Sequence, residues 1–206
     1  EVWELEHEFL YPLFKSSDIV KDHVSSPIRW IIMTQKKVNG DTSIIQEQAP
    51  KTWDYLLQHA SQLDKRKSSI YKGKPRFSIF GVGEYTFTPW KVAISGLYKT
   101  IHFTVIPPFK QKPGIVDDTC YLIPCSTQAE AHLLVDLLNS DIAREFLNSL
   151  IFWDAKRPIT VDILRRLNVL VLADELGKGE ELRTFLSQKR KKNHNQHLSP
   201  HLPYRD

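Results

Sequence analysis

The chain has 206 residues, of which 41% are hydrophobic and 25% are charged, and its formal net charge at pH 7 is +4. This composition is typical of a globular domain and excludes global disorder and fibrous repeats. No apolar run reaches the ~18–20 residues that a membrane span requires, and the charged first ten residues are unlike a signal peptide, so we predict a cytoplasmic protein without a membrane partner.

The first half of the chain predicts a short strand and one long helix. Residues 29–34 (RWIIMT) are strand-like, and Asn39-Gly40 is typical of a turn after them. Residues 52–69 place apolar side chains at helical spacing behind Thr52, which is suited to cap a helix. The last turn of this helix carries cations, which the helix dipole favours there.

The second half predicts strands first and then mostly helices. Strands are expected at 76–80, 85–94, 100–106 and 120–125, with a hairpin turn between the first two. Helices are expected at 126–140, 140–152, 159–167 and 180–192, and one more strand at 168–173. Strands grouped centrally and flanked by helices indicate an α+β fold with a central, mostly antiparallel sheet. We predict a single domain at 1–175, followed at 176–206 by a C-terminal helix and a disordered basic tail.

Gly81 and Gly83, in FGVGEYTF (80–87), have the spacing with which many nucleotide-binding loops begin. Such a loop needs a helix directly after the glycines, so that helix amides meet a phosphate or a carboxylate. The residues that follow are aromatic and β-branched and include Pro89, which is typical of a strand. The glycines therefore predict a turn with φ above zero at one of them, and no cofactor is expected in this part of the chain.

Candidate metal ligands are few. Cys120 and Cys125 lack the CxxC spacing of zinc sites and predict buried thiols, and three histidines lie in the polar tail at 189–206. Asp117 and Asp118 leave one catalytic alternative open, a Mg²⁺-dependent nuclease, although the ExK element of such enzymes does not follow them.

Positive charge is concentrated in one part of the chain. Residues 65–112 contain ten Lys or Arg and one acid, Glu84, so the rest of the chain is net acidic. A basic block in an acidic domain indicates a polyanion partner, because neutralised phosphates release counterions. Aromatic residues interleave with these cations, although alternating aromatics also describe a half-buried strand. A module that binds RNA or an acidic protein is the second alternative that this pattern leaves open.

Four segments carry a family resemblance: LFKSSDI (13–19), the run YLLQ to GLYK (55–99), DDTCYLI (117–123) and the run NSLIF to VLVL (148–172). They resemble the C-terminal part of adenine-N6 DNA methyltransferases of type II and type IIG restriction–modification systems, in which a target recognition domain follows the catalytic domain. The catalytic Asn/Asp-Pro-Pro-aromatic motif of that family is missing, since IPPF (106–109) begins with Ile. The resemblance, together with a start at Glu1, implies a fragment without catalysis of its own. An upstream methyltransferase domain of the parent protein would bind S-adenosylmethionine.

The resemblance also implies a partner, double-stranded DNA, and roles for named side chains. Cations would hold phosphates at Arg66, Lys67, Lys72, Lys74, Arg76 and Lys99, and at Lys156 and Arg157 just before a helix expected at 159. Side chains between 80 and 91 would contact base edges: Tyr85, Thr88, Trp90 and Lys91.

Overall fold

The computed structural model describes residues 2–21, 27 and 29–197, with only the backbone for 190–197. Within this part of the chain, strands and helices are mixed without regular alternation. The predicted α+β fold class is confirmed. None of the helices described is both long and apolar enough to cross a bilayer.

The strands form two three-stranded sheets where the sequence predicted one central sheet. In the first sheet, β1 (Leu10–Phe14) lies between the antiparallel β2 (Arg29–Ile32) and the parallel β5 (Ile115–Val116). In the second sheet, β3 (Trp90–Ser95) lies between β4 (Phe103–Ile106) and β6 (Cys120–Cys125), and both pairs are antiparallel. The sequence did not predict β1 and β5, which are short and hold the N-terminal part of the chain against the middle.

Helices surround both sheets. In the described residues they are α1 (Ser16–Ile19), α2 (Ile44–Gln48), α3 (Pro50–Gln58), α4 (Ala60–Leu63), α5 (Gln128–Leu138), α6 (Asp141–Leu150), α7 (Val161–Leu164), α8 (Val169–Glu175) and α9 (Gly179–His197). Short 3-10 helices occupy His7–Phe9, Ser69–Tyr71 and Glu84–Phe87. The helices expected at 126–140 and 140–152 are confirmed, and hydroxyl groups cap both of them at Thr127 and Ser140.

The main hydrophobic core lies between the second sheet and the C-terminal helices. Leu137, Leu147, Leu172 and Leu182 bring α5, α6, α8 and α9 into it. The helix expected at 180–192 is therefore present and packs on the domain. The predicted division at residue 175 stays a prediction. Of the predicted disordered tail at 189–206, the part up to His197 lies in α9, and 198–206 lie outside the described residues.

A smaller core joins the two sheets. Phe14 of β1 packs there with Ala93 and Ile106 of the second sheet, and all three are nearly inaccessible. Gly114 passes so close that a Cβ atom would lie 2.5 Å from the Ile106 side chain and 2.7 Å from the Phe14 ring. A side chain at this position would force the sheets apart, because packed interiors leave no room for an added methyl group.

Two predicted strands are wrong, and in both cases side chains form hydrogen bonds with the backbone of the segment. Residues 76–80 form a loop, because the side chains of Thr34, Gln35 and Thr42 form hydrogen bonds with its backbone. Residues 168–173 lie mostly in α8, because Asn168 Oδ1 accepts hydrogen bonds from the amides of Leu170 and Val171 at 3.1 and 3.3 Å. This cap starts a helix in a sequence rich in residues with strand propensity.

The hairpin predicted around the glycine pair is also wrong, although one glycine has the expected conformation. Gly81 has φ +70°, whereas Gly83 is extended at φ −170°. The chain then enters the 3-10 helix Glu84–Phe87 before β3, where a hairpin would require a second strand. No α-helix follows the glycines directly, as a nucleotide loop would need.

The N-terminal segment is held in place by a carboxylate that caps α3. Glu6 Oε1 accepts a hydrogen bond from the Lys51 amide at 2.9 Å, and Oε2 accepts from the amide and hydroxyl of Thr52 at 2.8 and 2.7 Å. Burial raises the pKa of Glu6, but the hydrogen bonds from Thr52 and Lys51 outweigh it and lower this pKa to about 2. A negative charge at a helix N-terminus also suits the helix dipole.

We predict that Glu6→Gln lowers the free energy of unfolding by about 1 kcal/mol at neutral pH, a usual value for the loss of a cap. The pKa of this group is lowered in the folded state, so its contribution is complete above about 4.5 and is lost as the pH falls towards about 2. Urea unfolding across this pH range should show the two proteins converging. Glu4→Gln is the control, because the Glu4 side chain is 92% exposed. Equal effects of both variants, or a difference that persists in acid, would contradict this interpretation.

Candidate nucleic-acid interface

Five of the predicted DNA-binding cations meet in one cleft. The segment 63–77, which runs from the end of α4 to the loop after it, encloses a cleft of about 640 Å³. The five are Arg66, Lys67, Lys72, Lys74 and Arg76. We call this surface the basic cleft. Within the described residues, no other cleft contains as many of the predicted DNA contacts.

Buried polar side chains give the loop behind the cleft its shape. The Thr34 hydroxyl donates to the Phe77 carbonyl at 2.9 Å, and the Thr42 hydroxyl donates to the Arg76 carbonyl at 2.5 Å. The Gln35 amide group bonds both backbone groups of Ile79, at 3.2 and 3.3 Å. Thr34, Gln35 and Thr42 are all buried. These contacts replace a strand partner, since buried backbone groups need hydrogen bonds from some source.

Phe77 anchors the same loop from the apolar side. It has a positive φ of 64°, which a non-glycine residue rarely adopts. Its ring is buried among Ile45, Leu56 and Ala60 and meets the Trp53 ring edge-on at 5.3 Å. Core packing therefore holds the backbone in a conformation that is unfavourable in isolation.

The two arginines of the cleft are fixed. Arg66 Nε donates to the Leu63 carbonyl at 2.7 Å and Nη1 to the Ser78 carbonyl at 2.6 Å, and the guanidinium lies 4.0 Å from the Tyr71 ring centroid. Arg76 donates to both carboxylate oxygens of Asp64, at 2.7 and 3.3 Å. The hydrogen bond to Arg76 is the main cause that keeps the pKa of Asp64 below its ordinary value.

The lysines of the cleft are more available. Lys74 Nζ donates to Asn39 Oδ1 at 2.6 Å. Lys67 and Lys72 are exposed, and their side chains make no hydrogen bond or ion pair within the described part of the chain. Fixed arginines with free ammonium groups beside them form a surface that is suited to phosphate oxygens.

The side chains predicted to contact base edges are placed differently from one another. Tyr85 is 44% exposed, and its hydroxyl donates to the Gly81 carbonyl at 2.7 Å. The Thr88 hydroxyl bonds the carbonyls of Tyr85 and Trp90, and Trp90 packs partly against the main core. Tyr85 is thus the most accessible member of this group.

Lys91 requires a correction. Its side chain is fully buried, and Nζ donates to the Thr88 carbonyl at 2.7 Å. Burial lowers its pKa to about 8. An ammonium group without exposed surface has no access to a base edge, so we remove Lys91 from the expected contacts in this conformation.

The remaining predicted cations lie outside the basic cleft. Lys99 Nζ is 3.9 Å from Asp154, and Arg157 is 3.8 Å from the Asp118 carboxylate. Lys156 is exposed and Arg157 half-exposed, but the helix expected at 159 begins at Val161 and has four residues. The Thr160 hydroxyl accepts a hydrogen bond from the Ile163 amide and so caps this short helix, and a phosphate contact at Lys156 and Arg157 stays a prediction.

The aspartates of the nuclease alternative have structural partners. Asp117 Oδ1 accepts hydrogen bonds from the amide and hydroxyl of Thr119, at 3.1 and 2.5 Å. The Thr119 hydroxyl is 2.6 Å from that of Ser16, which accepts from the Ser95 hydroxyl at 2.9 Å. This chain of hydroxyl groups links α1 to β3 and to the residue before β6. No group of three or more His, Cys, Asp or Glu within the described residues is arranged to hold a metal ion.

Both cysteines are free thiols, and Cys125 is buried while Cys120 is half-buried. Burial raises the pKa of each to about 12, so neither is a reactive thiolate at neutral pH.

A second cleft adjoins the first, and the sequence did not predict it. Its volume is about 750 Å³, and it contains the rings of Trp3, Trp30, Tyr55 and His59. These residues come from the N-terminal segment, β2 and α3, so only Tyr55 and His59 share a spacing that a sequence pattern detects. We call this surface the aromatic cleft.

Comparison with known proteins relates the chain to a type II methyltransferase. No protein-family model matches it. Over 173 residues, or 84% of the chain, it is 48% identical to the type II methyltransferase M.NspV of Nostoc sp. (strain ATCC 29411 / PCC 7524). The chain is a homologue of part of a type II methyltransferase.

The match spans 36% of the length of M.NspV, so the chain corresponds to about a third of that protein. The family resemblance inferred from the sequence is confirmed at this level.

We predict that Lys91→Met keeps or raises the free energy of unfolding at neutral pH, because it removes a buried charge and retains most of the apolar volume. A lowered lysine pKa makes the folded wild type more stable as the pH rises from about 8 to 10.5, so the advantage of the variant should shrink over that range. Urea unfolding checks this, with the exposed Lys110→Met as control. Duplex DNA affinity should not change. A loss of more than ~2 kcal/mol, or an altered DNA preference, would contradict the assigned position of Lys91.

Proposed function

We propose that this chain is the target recognition part of a restriction–modification adenine-N6 DNA methyltransferase. It binds double-stranded DNA sequence-specifically and positions the adenine, while another part of the parent protein binds S-adenosylmethionine and transfers the methyl group. The observation that carries the proposal is the basic cleft, where five cations converge on one concave surface. The homology to part of a type II methyltransferase supports the same partner.

The properties of the cleft suit a phosphate backbone. Arg66 and Arg76 are held by protein groups before any ligand arrives, so little side-chain freedom is lost on binding. Lys67 and Lys72 supply free charges, and each phosphate that they neutralise releases counterions. We assign the cleft to backbone positioning, which carries no sequence information by itself.

Sequence preference needs contacts with bases, and we propose that the exposed part of the segment 80–90 supplies them. Tyr85 offers an accessible ring, and Thr88 lies beside it. Lys99, Lys156 and Arg157 are proposed as further phosphate contacts outside the cleft. Selection of bound duplexes from a randomised pool tests this assignment. A consensus is expected from this chain alone, and enrichment of unrelated sequences would contradict a recognition role.

We predict that Lys67→Ala with Lys72→Ala weakens binding to all duplexes alike. The slope of log affinity against log salt should become shallower by about 2, since each phosphate contact contributes about −0.9. Fluorescence anisotropy across a salt series measures this slope. Competition with RNA separates a general polyanion module from a DNA reader.

The matched control is Lys15→Ala with Lys110→Ala, which removes two exposed lysines outside the basic cleft. The control should keep the wild-type slope. If both pairs change the slope equally, the contact surface lies elsewhere and the proposal loses its main support.

A further inference from the structure

Two tryptophan rings in the aromatic cleft are partly exposed to solvent. Trp3 is 36% exposed and Trp30 is 39% exposed, although both are large apolar side chains. The Trp3 ring meets Tyr55 edge-on at 5.3 Å, and the Trp30 ring meets His7 edge-on at 6.4 Å. These contacts orient the rings and leave part of each open to the cleft.

The two clefts share a wall. Leu63, Arg66 and Phe77 line both of them. This wall is rigid, because Phe77 is buried in a core cluster and the Arg66 guanidinium is held by two backbone carbonyls and the Tyr71 ring. The basic cleft and the aromatic cleft are therefore direct neighbours on the surface.

We infer that the aromatic cleft binds an unpaired nucleobase of a DNA strand whose phosphates lie in the basic cleft. The inference rests on the proposed function and adds to it a second kind of contact. A base that is not paired and stacked exposes a flat π-face, and aromatic side chains bind such faces with little regard to sequence. Cations that follow the backbone beside aromatic rings that hold bases are the combination found in single-strand binding sites. The polar groups of His59 and Gln62, which also line the cleft, are available to the base edge.

Two sources supply such a base, and the experiment separates them. Anisotropy measures the affinity of the whole chain for three labelled DNAs of one sequence: a paired duplex, the same duplex with a single-base bulge, and the single strand. Wild type should bind the bulged duplex about tenfold more tightly than the paired one, as expected for one stacked base. If the bulged duplex also binds more tightly than the single strand, the base is one displaced from a duplex. If the single strand binds more tightly, the cleft binds a base of single-stranded DNA.

Variants decide whether the aromatic cleft is responsible. Trp30→Ala should abolish the preference for the unpaired base and leave binding to the paired duplex unchanged. Trp3→Ala is a second test that does not alter a strand. Phe152→Ala is the control, because Phe152 is 71% exposed and lines neither cleft. Thermal melting confirms that each variant is folded.

The failures are distinguishable. Binding to all three DNAs without a preference for an unpaired base overturns this inference and leaves the proposed function standing. A preference that survives both tryptophan variants also overturns it. Absence of binding to any DNA overturns the proposed function and this inference together.

Discussion

Buried backbone groups need hydrogen-bond partners, and this requirement determines the form of the basic cleft. Residues 76–79 do not pair with a strand. Thr34, Gln35 and Thr42 supply the hydrogen-bond donors and acceptors that their backbone groups need. That arrangement holds the loop after α4 in a concave form, and the loop in turn gathers the cations of the basic cleft. The placement of the positive charges in the basic cleft thus depends on three uncharged side chains.

Charge density in a sequence says how many cations a segment has, and the fold decides what each of them does. The basic block of 65–112 supplies the cations of the cleft. Two of its lysines have other roles, since Lys91 is buried and donates to the Thr88 carbonyl, and Lys112 donates to backbone carbonyls of the N-terminal segment. Arg66 lies between these extremes, since its guanidinium both fixes the loop and faces the two clefts. A count of charges in the sequence therefore overestimates the number of cations that are available for binding.

The elements that sequence predicted best are those with local signals. The helices at 128–138 and 141–150 have hydroxyl caps and apolar periodicity, and β3, β4 and β6 have dense β-branched and aromatic runs. Other elements were missed because a distant group overrides the local preference. Gln35 turns 76–80 into a loop, and the pairing of β1 with β5 joins segments about a hundred residues apart. The aromatic cleft was missed because its rings come from three separate segments.

Protection of lysines from acetylation shows whether DNA covers the basic cleft. Mass spectrometry would compare the extent of acetylation at each lysine with and without bound duplex. We expect protection of Lys67, Lys72 and Lys74, no change at Lys15 or Lys51, and no modification of the buried Lys91 in either state. Protection confined to lysines outside the cleft, with Lys67 and Lys72 equally modified in both states, would contradict it.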